Sequence, residues 1–177
     1  MKLVIASDIH GSAYYCELLK KRYEEERADR LLLLGDLLYH GARNPLPKDY
    51  DTLRTAAILN SLKDEILCVK GNCDSQVDTL VLEFPIGNDF AALLVNGRTM
   101  IAAHGHLTPA RLKSGDILLN GHFHVPAFEK REDYFYVNCG SVSIPKENSP
   151  HSYMVATQNG FEWKNVETGE VFKREKL

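Results

Sequence analysis

The chain has 177 residues, 44% of them hydrophobic and 25% charged, with a formal net charge of -3. That length suits one domain, 1–177, with a substantial core. The mild acidity makes no electrostatic case for nucleic acid or an anionic membrane, and no apolar run nears the ~20 residues of a membrane-spanning helix. The first strand begins at once with Lys2-Leu3-Val4-Ile5 and no signal peptide ahead of it, so a complete cytoplasmic protein is expected. The four cysteines form no CxxC pair and no disulfide spacing. Cys16 and Cys68 read as small buried hydrophobes.

In chain order, residues 2–7 read as a buried strand. Ser12 is an N-cap for a helix over 13–27, with Leu18, Leu19, Arg22 and Tyr23 near one stripe and Glu24, Glu25 and Glu26 outward. A second buried strand spans 31–34. The polar loop 39–51 follows, and a loop of that length in a compact domain is more often functional than accidental. A helix over 51–62 and a strand over 65–69 complete a βαβαβ pattern, the signature of parallel pairing. The second half is largely β. A short strand is expected at 79–85 and a hairpin over 90–103, turning at Asn96-Gly97. One or two helical turns are expected at 108–113. Strands are expected at 116–120, 125–130 and 134–138, then a hairpin over 152–166 turning at Asn159-Gly160. Val171-Phe172 would add an edge strand. The Trp163 hairpin serves packing or an oligomer contact. The pattern predicts one α/β domain with two packed sheets and helices outside.

Five candidate strands end in residues that can hold a metal. They deliver Asp8 and His10, Asp36, Asn72, then His104 with His106, and finally His122 with His124. If the strand before Gly121-His122-Phe123-His124 stays extended, both imidazoles point one way. Ligands bind at such strand ends in open α/β sheets. Two histidines at one strand end could simply be solvated; five such ends in one chain argue otherwise. Periodicity does not choose between His104 and His106. Asp8, His10, Asp36, Asn72, His104, His122 and His124 are too many ligands for one transition metal and suit two ions sharing a carboxylate. Nitrogen and oxygen donors without a thiolate set suit Mn, Fe, Zn, Co or Ni better than Mg or Ca. Two such ions roughly 3.5–4 Å apart are a known device for hydrolysing phosphate esters.

Asp8-x-His10, Gly35-Asp36, Gly71-Asn72, His104-Gly105 and Gly121-His122-x-His124, in that order, resemble the calcineurin-like metallophosphoesterase superfamily. Three further stretches resemble its YfcE-type bacterial phosphodiesterases: His40-Gly41-Ala42-Arg43-Asn44, Gly71-Asn72-Cys73-Asp74-Ser75 and Gly140-Ser141-Val142-Ser143-Ile144-Pro145-Lys146. The resemblance implies a four-layer α/β/β/α sandwich, two mixed sheets flanked by helices. It implies a phosphodiesterase with two divalent ions, manganese foremost, that cleaves small diesters through a metal-bridged hydroxide. Carried over by motif, Asp8, His10 and His124 would bind the first ion. Asn72, His104 and His122 would bind the second, with Asp36 bridging.

His106 then becomes a substrate-contact candidate beside a plain surface role. Arg43 is a candidate for phosphate contact through its guanidinium, His40 a weaker one, and solvation is the bland reading of both. Much of the superfamily has His where Cys73 stands, placed to protonate the leaving oxygen. A thiol is a weak hydrogen-bond donor, which favours diesters or esters with good leaving groups. Asp74 would orient the loop or a ligand. Asn138, Gly140 and Ser141 would shape a turn near the metals. One rival is a nonenzymatic scaffold: a retromer subunit of this fold is an interaction module with partly eroded metal motifs, whereas Asp36 and Asn72 are intact here. A phosphomonoesterase is the second rival. Nucleic acid would enter only as a hydrolysed ester, and a homodimer or homotetramer is open.

Overall fold

The computed structural model describes residues 1–95, 97–109 and 112–177. The elements run β1 (Leu3–Ala6), α1 (Ala13–Glu26), β2 (Arg30–Leu33), α2 (Thr52–Asn60) and β3 (Ile66–Cys68). After these come β4 (Phe90–Val95), β5 (Arg98–Ala103), β6 (Ile117–Asn120), β7 (Ala127–Lys130) and β8 (Phe135–Asn138). The chain ends with β9 (Ser152–Thr157), β10 (Gly160–Asn165) and β11 (Val171–Glu175). One sheet has the order β11-β10-β9-β1-β2-β3 and the other β4-β5-β6-β8-β7. Both are mixed: β1, β2 and β3 run parallel, as do β5, β6 and β8, with antiparallel strands at their flanks.

Alternation along β1 explains how the layers stack. Val4 and Ala6 face the helices, in a core with Cys16, Leu19, Ala56 and Leu59. Leu3 and Ile5 face the second sheet, in a core with Leu32, Met100, Leu119, Val137 and Trp163. Successive strand residues point to opposite faces, so one apolar run feeds both cores. This is the α/β sandwich expected from the pattern. Helix α1 starts where Ser12 accepts from Tyr15 N, and α2 where Asp51 accepts from Arg54 N. Glu26 does not point outward as expected. It is half-buried and takes a hydrogen bond of 3.0 Å from the Tyr153 hydroxyl, with Lys2 and Lys164 beside it.

Two other expectations give way. No strand forms over 79–85; a 3₁₀ helix, Gln76–Leu80, is followed by irregular chain. Leu82, Phe84 and Ile86 are buried alternately, as the pattern implied, in the helix-side core. Among the described residues no strand pairs with them, and the Asn60 amide serves the backbone instead, donating to Val81 O at 2.8 Å and accepting from Glu83 N at 2.9 Å. The β9–β10 hairpin turns one residue early, at Gln158-Asn159, with Gly160 already paired to Thr157. Neither turn residue has positive φ, so the turn is not the mirror-image type that Asn-Gly suggests. The β4–β5 hairpin is present, but Asn96 of its turn lies outside the described residues. So do Ala110 and Arg111 of the expected turns at 108–113; residues 108–109 and 112–113 are not helical.

Trp163 is fully buried between the sheets, where its indole N–H donates to Asn138 O at 2.7 Å. Asn138 in turn donates to Gly121 O at 2.7 Å and accepts from Gly140 N at 2.9 Å. The indole therefore packs the core and steadies the two loops that leave β6 and β8. Trp163→Phe should cost about 1–3 kcal/mol, because it opens space and removes the donor from a buried carbonyl. Urea unfolding followed by circular dichroism should show a lower midpoint at unchanged slope.

Candidate metal centre

The parallel strands of both sheets end at one edge. Asp8 and His10 follow β1, Asp36 follows β2 and Asn72 follows β3. From the other sheet, His104 follows β5, and His122 and His124 follow β6. Backbone pairing continues past β1 and β2, with His10 N donating to Asp36 O at 2.9 Å and Gly11 N to Leu37 O at 2.8 Å. The extended continuation expected at 121–124 is absent, since β6 stops at Asn120. His122 and His124 instead adopt left-handed backbone, φ 65° and 63°. Asp8, His10 and Asp36 do the same, with φ 58°, 49° and 55°. Five of the nine described non-glycine residues with positive φ thus lie in this cluster. Each costs about 1 kcal/mol or more and persists only because its surroundings enforce it.

Those surroundings are hydrogen bonds and two close approaches. Asp74 is buried and accepts from three backbone N–H groups: Asp36 and Leu37 at 2.8 Å and Gly71 at 2.7 Å. Burial pushes its carboxyl up against the pull of those donors. A Cβ on Gly71 would come 2.1 Å from Asp36 Oδ1, and one on Gly121 would come 1.9 Å from Ser7 Oγ. Only glycine lets these turns approach the carboxylates. The hydroxyls of Ser141 and Ser143 donate to Asp8 O at 3.0 and 2.9 Å.

Three imidazoles are oriented by carbonyls. His10 Nδ1 donates to Tyr39 O at 2.8 Å, His104 Nδ1 to Leu34 O at 2.6 Å and His124 Nδ1 to Ile144 O at 2.6 Å. A carbonyl can only accept, so each Nδ1 carries its proton and each Nε2 faces the cluster. There His10 and His124 Nε2 stand 3.4 Å apart. Asp8 Oδ1 lies 3.1 Å from His124 Nε2, 3.6 Å from His10 and 4.0 Å from His104. Asp36 Oδ2 lies 3.3 Å from His104 Nε2 and 3.7 Å from His10. Each carboxylate gives its other oxygen to a backbone N–H, Asp8 to His122 and Asp36 to Cys73. Asn72 Oδ1 and His122 Nδ1 approach His104 Nε2 at 3.1 and 3.2 Å, while Asn72 Nδ2 is turned to Cys73 Sγ.

Asp8 Oδ1 is buried with no hydrogen-bond partner among the described residues. A buried carboxylate oxygen facing imidazole lone pairs demands a cation between them. The donor set fits divalent ions: Asp8, His10 and His124 form one potential group and Asp8, Asp36 and His104 another. Asp8 belongs to both groups, and Asp36, the residue expected to bridge, belongs to the second and lies 3.7 Å from His10 Nε2 of the first. His10, Asp36 and Cys73 make a third grouping that the sequence reading did not foresee. The Cys73 thiol is pushed up to about 12 by burial and by the Asp36, Asp74 and Asp8 carboxylates.

A model of the calcineurin-like phosphoesterase superfamily domain matches residues 1–160. The chain belongs to the calcineurin-like phosphoesterase superfamily. Phosphodiesterase YfcE of Escherichia coli is 42% identical over 158 residues, spanning 86% of this chain and 85% of that protein. The solved structure of YfcE, described as a phosphoesterase, matches with a TM-score of 0.95 and 35% identity over 100% of each chain. Vps29 of Entamoeba histolytica, solved in complex with zinc, matches with a TM-score of 0.63 and 20% identity, covering 100% of this chain and 98% of that one. That last likeness concerns the fold alone.

The remaining expected residues of this phosphoesterase chain are placed more loosely. His106 is exposed, its ring centroid 5.5 Å from His104 and 6.3 Å from His122. Burial and the neighbouring His104 charge hold its pKa and that of His122 down. Arg43 lines a cleft of about 430 Å³ above the cluster, together with Asp36, Cys73, His122, Phe123 and Lys146. His40 is outside that lining. Its ring sits edge-on to Tyr39 and Tyr50, and its Nδ1 is buried without a partner among the described residues. Sequence reading gave no role to Phe123, Lys146, Ser143 or the three carbonyls. The Gly140–Lys146 motif was the available signal for Ser143 and Lys146; the carbonyls carry none.

Without a cation, protons compensate the charge. Burial disfavours the His104 imidazolium, but Asp36 and Asp8 outweigh it and raise its pKa to about 9. Burial likewise raises the Asp8 and Asp36 carboxyls, and the His10, His124 and His104 rings overcome it and hold both below the ordinary range. A raised His104 stabilises the fold fully below its ordinary value of 6.5 and loses that contribution as pH rises through about 9. The lowered carboxylates contribute above their ordinary 3.8 and lose it as pH falls. The chelated protein should therefore unfold at the highest temperature between about pH 4 and 6.5 and weaken toward pH 9. Divalent-ion affinity by calorimetry should rise over the same upper window, because the ion displaces the His104 proton. An affinity independent of pH between 6.5 and 9 would contradict a protonated His104.

Proposed function

We propose that this member of the superfamily is a metal-dependent phosphodiesterase that hydrolyses small phosphodiesters. The observation that carries the reading is the unpartnered Asp8 Oδ1, buried among inward-facing Nε2 atoms at the floor of an open cleft. Identity of 42% with the curated phosphodiesterase YfcE supports the diester class. The scaffold reading is not favoured, since all seven candidate ligands are present and converge and the Vps29 likeness stops at the fold. The seven residues Asp8, His10, Asp36, Asn72, His104, His122 and His124 would hold two divalent transition ions, with manganese preferred. Bound there, the ions would supply a nucleophile from water at neutral pH and offset the charge of the phosphoryl oxygens.

The chain's own groups do the rest. The carbonyls of Tyr39, Leu34 and Ile144 hold the imidazoles in one tautomer, so nothing needs reorganising when substrate arrives. Arg43 stands at the cleft rim for phosphate contact. Position 73 offers a protonated thiol where an imidazole would donate to the leaving oxygen. A diester with a good leaving group needs that proton least, which favours diesters over monoesters. Four free cysteines support a reducing, cytoplasmic location. Leu53, Val77 and Leu80, 70%, 68% and 82% exposed, give an apolar face that supports a homodimer or homotetramer.

The test is metal removal combined with Asp36→Asn. Chelated protein should lose hydrolysis of bis(p-nitrophenyl) phosphate and regain it with Mn, Co or Ni. Asp36→Asn should hold fewer than two ions per chain by elemental analysis and lose at least ~10²-fold in activity. Full turnover in metal-free protein would sink the reading.

A further inference from the structure

Phe123 and Lys146 line the cleft but have no part in holding ions. Phe123 is 51% exposed, a large ring left in water at the mouth of a polar site. Its exposure is enforced by the backbone. His122 and His124 on either side are left-handed, Phe123 N donates to Gly121 O at 2.7 Å, and the ring meets His122 edge-on at 5.1 Å. Lys146 is fixed as firmly. Its N–H donates to His124 O at 3.1 Å, and its carbonyl accepts from Ser149 N at 3.0 Å and Ser149 Oγ at 2.7 Å. In the same lining, Arg43 rides a turn closed by Asn44 N to Gly41 O at 3.2 Å and Asn44 Nδ2 to His40 O at 2.9 Å. Lys146 and Arg43 are both exposed and both line the cleft.

A phosphodiester carries a single negative charge, which ions at the floor would already meet. Two further cations on the rims call for a second anionic group, and the ring calls for a flat apolar one. We propose that the substrate is a nucleotide ester, a phosphodiester whose retained side carries a base that stacks on Phe123 and a second phosphate that Lys146 and Arg43 bind. The inference rests on the phosphodiesterase reading and narrows it. Stacking on an aromatic ring tolerates any base, whereas the cations select for charge. In the reaction a water oxygen bonds to phosphorus, the bond from phosphorus to the leaving oxygen breaks, and that oxygen takes a proton. The nucleotide departs as a phosphomonoester, with no other reactant needed.

The test compares kcat/KM of the manganese-loaded protein on three p-nitrophenyl diesters: methyl, thymidine 5′, and thymidine 3′-phosphate 5′. Thymidine should exceed methyl by about ten-fold or more, the scale of stacking one base. The 3′-phosphate should add a further gain of about ten-fold, the scale of a charge-assisted contact. Phe123→Ala should collapse the first ratio and Phe123→Tyr preserve it. Lys146→Met should collapse the second and Lys146→Arg preserve it. Elemental analysis checks that each variant keeps its ions. If none of the three diesters is cleaved, the phosphodiesterase reading falls and this inference with it. If diesters are cleaved but the three substrates are equal, or the ratios survive Phe123→Ala and Lys146→Met, the nucleotide assignment alone is overturned.

Discussion

Three peptide carbonyls govern this site. Those of Tyr39, Leu34 and Ile144 each take a proton from an Nδ1, which leaves His10, His104 and His124 presenting Nε2 to the same small volume as two carboxylates. Like-signed lone pairs at 3.4 Å, and a buried carboxylate oxygen with no donor, are unfavourable unless positive charge sits among them. The arrangement therefore stores a demand for cations in the fold itself. Protons can answer it in part, and a divalent ion answers it better.

Such a cluster is costly to hold together, and the rest of the structure offsets the cost. Two apolar cores, fed by opposite faces of the same strands, anchor the loops that carry the ligands. Asp74 ties the turn after β3 to the turn after β2 through three backbone donors. Ser141 and Ser143 tie the loop after β8 to Asp8, and the same loop hands the Ile144 carbonyl to His124. The left-handed residues are concentrated where these ties converge, which is how strained backbone persists at a functional site. The open side of the cluster then faces Arg43, Lys146 and Phe123, and the chemistry of those three decides what can dock there.

Much of this was legible in the sequence, for identifiable reasons. Apolar runs ending in Asp8, Asp36 and His104 announce buried parallel strands with polar C-terminal ends, and Ser12 and Asp51 announce helix starts. Other features were hidden because tertiary context overrides local pattern. Leu82, Phe84 and Ile86 alternate like a strand but have no pairing partner, so Asn60 takes the ladder's place. His122 and His124 converge by left-handed turns rather than by strand periodicity. Glu26 reads as a surface acid and is drawn inward by Lys2, Lys164 and Tyr153 from distant elements. The carbonyls that orient the imidazoles have no side-chain signature, so no sequence pattern could mark them.

The central claim is that the protein's hydrogen bonds fix the imidazoles for metal before any metal binds. Long-range proton–nitrogen NMR of histidine-labelled protein, titrated with diamagnetic zinc, reads tautomer and ligation at each ring. The account predicts a proton on Nδ1 of His10, His104 and His124 both before zinc is added and in the loaded protein, with their Nε2 resonances displaced by zinc and those of His40 and of His151, whose ring nitrogens face Val142 O and the Tyr15 hydroxyl, unmoved. An Nε2–H tautomer at any of the three, or zinc binding that leaves their Nε2 resonances in place, would contradict it.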